Sequence, residues 1–188
     1  METTSETARD AAGSSDFLVR PSRPGDARSF MDMWREVVAE RRFVRTEVVT
    51  RSIRHYRKRF RNSWTRDRAS LVAVHGDRVI GHLDVTREEG SVTRHVASIG
   101  MAVAPDWRGR GVGSALMAEA VRWARDAGVE KLALSVYPDN EAARALYRKF
   151  AFKEEGRLTG HSKKSIGYLD EIVMGLWLVD RSPGDGEA

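Results

Sequence analysis

The chemistry most plainly written in the chain lies in six consecutive residues, Arg108-Gly109-Arg110-Gly111-Val112-Gly113. Glycines at 109, 111 and 113 let a charged ligand approach the backbone with no Cβ in the way. Arg108 and Arg110 add positive charge and forked hydrogen-bond donors. A helical pattern starts near Gly111, and a helix N-terminus offers free N–H groups and the positive end of the helix dipole. Together these features predict a cradle for a pyrophosphate-like anion. Two other phosphate loops do not fit. A Walker loop needs Gly-Lys-Ser/Thr after its first glycine and spacer, which is absent here. A dinucleotide fold puts its glycines after the first strand of a parallel unit, with an acid about 20 residues on. Here the glycines follow an apparent antiparallel meander, and residues 128–130 sit at a helix exit.

The elements that must hold this loop follow from hydrophobic spacing. Phe17-Leu18-Val19-Arg20 is a short apolar run stopped by Pro21 and Pro24, which predicts a first strand and turn. Asp26 is placed to cap a helix over Ala27–Glu40, with Phe30, Met33, Trp34 and Val37 on one face. After a connection over 41–50, Val49, Ile53, Tyr56 and Phe60 recur at helical spacing. Runs over 69–74 and 78–86 flank His75-Gly76-Asp77 and predict a hairpin. A third run, 95–103, predicts the strand that leads into the loop, and Pro105 ends it. From Gly111 the pattern is helical, with Leu116, Ala120, Trp123, Ala124 and Ala127 inward and Gly128 as the stop. Lys131–Tyr137 reads as a strand, and Asp139-Asn140-Glu141 caps a helix carrying Ala143, Leu146, Tyr147 and Phe150. A last strand is expected over 170–178. The order β-α-α-β-β-β-α-β-α-β, without repeat or long linker, is that of a mixed α/β (α+β) sheet domain.

Bulk properties bound what such a domain does. The 188 residues, 41% hydrophobic, fit one compact unit over 16–179, with polar tails expected to be disordered over 1–15 and 180–188. Residues 1–15 lack the apolar core of a signal peptide, and no run reaches the roughly 18 apolar residues of a membrane span, so a cytoplasmic protein is expected. There is no cysteine, which excludes disulfides, thiolate nucleophiles and Cys-ligated metals. The histidines at 55, 75, 82, 95 and 161 show no metal-site spacing, so no metal is expected. Charge is unevenly placed. Between Arg41 and Arg68, eleven Arg or Lys face two acids, Glu47 and Asp67, a local +9 that leaves −4 for the rest of a chain of net +5. Such a segment suits an acceptor carrying carboxylate or phosphate, or an acidic protein surface, or serves as a solvated helix face. Phe43, Tyr56, Phe60 and Trp64 interleave it; helical spacing assigns all but Trp64 to the core rather than to base stacking.

The stretch from Val103 to Leu116, Val-Ala-Pro-Asp-Trp-Arg-Gly-Arg-Gly-Val-Gly-Ser-Ala-Leu, resembles the acetyl-CoA signature of the GNAT acetyltransferases, with its core Arg/Gln-x-x-Gly-x-Gly/Ala. A second block from Asn140 to Phe152 resembles the family's Asn-x-x-Ala-x-x-Leu-Tyr-x-Lys-x-Gly-Phe. The resemblance spans Phe17 to Leu178. It implies the GNAT fold, a central mixed, mostly antiparallel sheet of about six or seven strands flanked by about four helices. It also implies acetyl-CoA as cosubstrate. Met101, Ala102 and Val103 would pair with the pantetheine arm as an added strand. Arg108, Gly109, Arg110, Gly111, Val112, Gly113 and Ser114 would take the pyrophosphate, and Asn140 would hydrogen-bond the cofactor. Tyr147 matches the phenol that faces the coenzyme sulfur and protonates the departing thiolate. The oxyanion would meet backbone N–H groups around Val103. Ala151 departs from the pattern's glycine; if that turn needs a positive φ, it carries about 1 kcal/mol of strain.

The general base is less determined. Where some similar proteins carry a glutamate, this chain has Ala97, so His95, two residues away, and Glu171, in Tyr168-Leu-Asp-Glu-Ile-Val-Met174, are the candidates. The expected activity is acetyl transfer to a primary amine of a small molecule of amino acid, polyamine or antibiotic type. A protein N-terminus or lysine is the alternative acceptor, and a non-catalytic acyl-CoA- or nucleic-acid-binding module the alternative class. Tyr147 beside an intact loop argues against the last. The resemblance also makes a homodimer the common assembly.

Overall fold

The apolar run 69–74 and the polar Gly76-Asp77 turn dictate a buried hairpin, and the computed structural model, which describes residues 16–180, forms it. Strand β2 (Arg68–His75) pairs antiparallel with β3 (Arg78–Arg87). Every residue from Ala69 to Val74 is buried, because helices cover both faces of this strand. Strand β1 (Leu18–Pro21) pairs with β2 at the sheet edge, where a terminal proline costs no ladder bond. On the other side β4 (Val96–Val103) pairs with β3. Helix α3 (Val112–Asp126) then carries the chain back, so β5 (Lys131–Val136) lies parallel to β4. A hairpin of β6 (Lys153–Lys164) and β7 (Gly167–Trp177) completes a seven-stranded sheet in the order β1-β2-β3-β4-β5-β7-β6, with β4·β5 its one parallel pair. Helices α1 (Ala27–Ala39), α2 (Ile53–Arg59) and α4 (Glu141–Lys149) bring the α-helices to four among the described residues.

Alternation along β3 shows how the helices divide. His82 packs its ring on Phe30 of α1, 4.6 Å between centroids. Its neighbour Gly81 faces Val112 and Leu116 of α3. So α1 and α2 cover one face and α3 the other. Apolar residues at helical spacing do this work: Phe30, Met33 and Val37 on α1, and Leu116, Ala120, Trp123 and Ala124 on α3, are all buried. Each large one contributes about 1.5–3 kcal/mol of burial. No helix among the described residues is long and apolar enough to cross a membrane.

Beyond shifts of a residue or so at other ends and a second helix that begins at Ile53 rather than near Val49, the expected elements differ from the observed ones as follows. Strand β6, Lys-Glu-Glu-Gly-Arg-Leu-Thr-Gly-His-Ser-Lys-Lys, was not expected: as an exposed edge strand with irregular register it shows no apolar alternation. Strand β4 begins at Val96, not at 95, and the last strand begins at Gly167, not at 170. Asp26 stands before α1 but makes no capping bond; its carboxylate instead accepts from Arg20 at 2.7 and 2.8 Å and from the Arg23 N–H. The expected tails, 1–15 and all of 180–188 except Asp180, lie outside the described residues.

Candidate active site

Strands β4 and β5 stay paired for only three residues: Val96 with Lys131, Ala97 with Leu132, Ser98 with Ala133. Beyond that they part. From Ile99 to Val103, β4 pairs with β3 alone, while β5 continues along β7. The parting leaves one side of a strand's backbone unpaired, facing a cleft of about 1500 Å³. Ile99 to Val103 form one wall, and Leu134 to Tyr137 form the other. An extended ligand can add to β4 here as a further strand.

At the end of β4, the Pro105–Trp107 turn delivers the chain to the glycine loop. Gly109 and Gly111 have φ of 74° and 83°, the left-handed region, so the loop needs glycine at both for its path. Nothing stands within 4 Å of where their Cβ atoms would be, so the cradle is open there. Gly113 acts differently. A Cβ on it would lie 3.0 Å from Leu146 Cδ2 and 3.7 Å from Met101 Cε. It lets α4 and β4 close on the start of α3, and that start aims the first N–H groups of α3 into the cleft. The fit to a pyrophosphate therefore rests on backbone donors and the helix dipole.

The two arginines flanking Gly109 have partners within the fold. Arg108 is forked onto Glu40, Nη1 to Oε1 at 2.9 Å and Nη2 to Oε2 at 2.6 Å, with Nε on the Val103 carbonyl at 3.3 Å. Arg110 lies over the Trp107 ring, 5.1 Å from its centroid. The Arg108 donors are thus engaged by a carboxylate and a carbonyl, whereas Arg110 is exposed and packs only its face on the indole. Asn140 is likewise engaged: its Oδ1 caps α4 by accepting from Ala143 N–H at 3.2 Å, leaving the amide NH2 for a ligand.

Tyr147 lines the cleft from α4 and is 7% exposed. Burial pushes its phenol up to about 12, so it is protonated at any ordinary pH and acts as a donor. Its place is fixed by how α4 ends. Ala151 has φ 65°, its N–H donates to the Arg148 carbonyl, and Phe152 N–H donates to the Tyr147 carbonyl. This is a Schellman motif with alanine in the left-handed position usually given to glycine. The accompanying apolar contact is Phe152 on Tyr147 itself, rings 5.9 Å apart.

The two base candidates end differently. His95 sits in the turn before β4, where β4 and β5 are zipped together. Its carbonyl accepts from Glu130 and Lys131 N–H, its ring stacks on Trp177, and it does not line the cleft. The strand face it shares with Ala97 does not reach the parting, so the structure does not bring His95 to the cleft. Glu171 does line the cleft, from β7, and is 2% exposed. Burial alone would raise its carboxyl, but hydrogen bonds from Arg45 and Ser162 outweigh it and hold it below the usual range. It is ionised, with its oxygens already occupied.

A further group was not singled out from the sequence. His82 and Asp84, on β3, line the cleft beneath α1. Ser70 Oγ and His82 Nε2 are 3.1 Å apart, and Asp84 Oδ1 is 3.8 Å from the same nitrogen. Burial lowers the His82 pKa and keeps its imidazole neutral. Burial would raise Asp84, but the charges and hydrogen bonds of Arg59 and Arg68 overcome it and hold it at about 2. The remaining cleft wall is the connection between α1 and α2, with the Tyr137 hydroxyl buried and unpartnered near Lys164 on the far side. Among the described residues no group of three or more His, Asp or Glu is arranged to hold a metal ion.

Comparison with known proteins agrees with this geometry. The family model described as Acetyltransferase (GNAT) family matches residues 32–152. The L-amino acid N-acetyltransferase AaaT of Escherichia coli is 34% identical over 108 residues, which make 55% of this chain and 64% of that protein, just under two thirds of its length. An acetyltransferase of the GNAT family from Streptococcus pneumoniae superposes with TM-score 0.81 at 23% identity, over 87% of this chain and 99% of that one. The structure of yncA from Salmonella typhimurium with its cofactor acetyl-CoA superposes with TM-score 0.80 at 16% identity, over 89% and 97%.

Proposed function

The chain belongs to the acetyltransferase (GNAT) family, and on that premise we propose that it transfers the acetyl group of acetyl-CoA to the primary amine of a small molecule by direct attack. One observation carries the reading: the unpaired backbone of Ile99–Val103 runs straight into a positive-φ glycine loop and a helix N-terminus. That layout suits a ligand with an extended amide arm joined to a pyrophosphate. The bound acetyl-CoA of the yncA structure and the amino acid acetyltransferase activity named for AaaT support it. The proposal extends to a cytoplasmic enzyme.

Acetyl-CoA supplies an activated thioester carbonyl. The chain does the rest. The backbone of Met101, Ala102 and Val103 holds the arm in register, residues 108–114 hold the pyrophosphate, and the Asn140 amide adds a donor. Backbone N–H groups of β4 facing the parting stabilise the negative charge that develops on the carbonyl oxygen. The acceptor enters from the α1–α2 face. It must give up a proton before attack, and with every carboxylate of the wall held by arginine, His82 and the exposed His55 are the wall's imidazole bases. Tyr147 then donates to the departing sulfur. A phenol at about 12 is a weak acid for a thiolate in water. In the closed cleft the same desolvation raises the basicity of the sulfur, which restores the match.

The test is release of coenzyme A thiol from acetyl-CoA on addition of amines, run over amino acids, polyamines, aminoglycosides and lysine- or alanine-terminated peptides. Amine-dependent release with a small molecule is expected. Release with peptides alone moves the acceptor to proteins, and no release with any amine while acetyl-CoA still binds makes the chain a binding module.

A further inference from the structure

The carboxylates of the cleft wall are Glu40, Asp84 and Glu171, and each is already held by arginine. Arg108 forks onto Glu40, Arg45 binds Glu171, and Arg59 and Arg68 bind Asp84 at 2.8 and 3.1 Å. A second ammonium on an acceptor, as in a polyamine or aminoglycoside, finds no free carboxylate there and leaves water uncompensated. An anion meets the opposite situation. Arg51 lies on the same wall, exposed and with no ion pair among the described residues, and its charge acts on the Tyr56 phenol. Tyr56 packs against Phe30, ring centroids 4.7 Å apart and planes tilted by 58°, so Arg51 stands at an aromatic end of the cleft. Trp34, Phe43, Val48 and Val49 continue that apolar lining. The segment 41–68 keeps most of its +9, since among the described residues its only cations in ion pairs are Arg45, Arg59, Arg68, and Arg42 at 3.9 Å from Asp139.

We propose, building on the acetyl-transfer reading above, that the acceptor is an amine carrying an anionic group on an apolar body, an α-amino carboxylate, with Arg51 receiving the anion. The cleft's acids are neutralised in advance, so selection works by charge: the wall attracts a carboxylate and offers nothing to a second cation.

The experiment uses the full chain with acetyl-CoA and matched pairs, the apolar amino acids and their carboxamides, with spermidine and kanamycin as polycations. Thiol release gives kcat/KM for each. The amide's amine is the less basic of each pair, so intrinsic availability favours the amide and a preference for the acid must come from the protein. The expected result is kcat/KM higher for the acid by about tenfold or more, the worth of one charge-assisted hydrogen bond. In Arg51→Ala the acid-to-amide ratio falls by about fivefold or more through KM, and added salt lowers the wild-type ratio in the same direction. Amides or polycations acetylated as well as the acids overturn the inference while leaving acetyl transfer standing. An unchanged ratio in Arg51→Ala removes that residue from the anion site. No release with any amine overturns the acetyl-transfer reading, and this one with it.

Discussion

The two ends of the cleft are built from different materials. The end proposed to meet the donor is made of backbone: the unpaired stretch of β4, two glycines with positive φ, and the first turn of α3. The end that meets the acceptor is made of side chains holding one irregular connection in place. Residues 40–52 have no regular structure, yet Glu40 is tied to Arg108, Arg45 to Glu171, and Glu47 to the N–H and hydroxyl of Ser165. Lys164 adds a bond of 2.9 Å to the Arg42 carbonyl. Backbone recognition survives most side-chain substitutions, whereas ion pairs change with one residue, with pH and with ionic strength. The difference teaches that such a molecule can keep its donor while its acceptor end is rebuilt piecemeal.

The largest effect should come at the seam between the two ends. Tyr147→Phe keeps the ring on Phe152 and removes the donor, so kcat should fall by about 10²-fold or more with little change in melting temperature. A kcat within about threefold of wild type would move the acid elsewhere. Next, the acceptor end should be the part that acid and salt undo. Arg45→Ala strands the buried Glu171 carboxylate at a cost of about 1–3 kcal/mol, less than for a fully buried pair because Arg45 is 60% exposed. Glu171 and Asp84 both titrate below their ordinary values when folded. Their stabilisation is therefore complete above the unfolded carboxylate range and lost as pH falls, for Asp84 between about 4 and about 2. Chemical denaturation of wild type and Asp84→Asn across that window checks it; parallel stability curves would contradict the assignment. The smallest effect belongs to the donor side. Ala151→Gly relieves a left-handed alanine and should stabilise by up to about 1 kcal/mol, or roughly 2–4 °C in Tm. A loss of stability there would show that the turn is held by something other than its backbone conformation.

What the chain discloses in sequence follows the same division. The loop 108–113 and the block 140–152 are contiguous, so spacing placed Gly111, Asn140 and Tyr147 on their elements, while the question of a positive φ at Ala151 came from the family resemblance. The acceptor end joins residues more than a hundred positions apart, Arg45 with Glu171 and Glu47 with Ser165, and no local pattern encodes such a pair. The Ser70, His82 and Asp84 group was hidden for a subtler reason. Counted evenly from the Gly76-Asp77 turn, Ser70 would face Leu83, on the wrong side of the sheet. An irregularity after Val79 shifts the register by one residue, so that Ser70 pairs with Asp84 and Val72 with His82. A one-residue slip exchanges the faces of a strand, and hydrophobic spacing gives no sign of it in a hairpin this buried.

The parting of β4 from β5 has a consequence for how the protein behaves without its ligand. Sheets protect their outer edges with charge, proline or short strands, because an unpaired edge invites any extended chain to add itself. Here an edge lies within the sheet, half-buried along the cleft, and on the proposed reading what completes it is a small molecule in place of a polypeptide. Ligand occupancy thus restores a missing strand, and the folded state gains RT ln(1 + [L]/Kd) from it. In cells rich in that ligand the protein would spend little time with its inner edge bare.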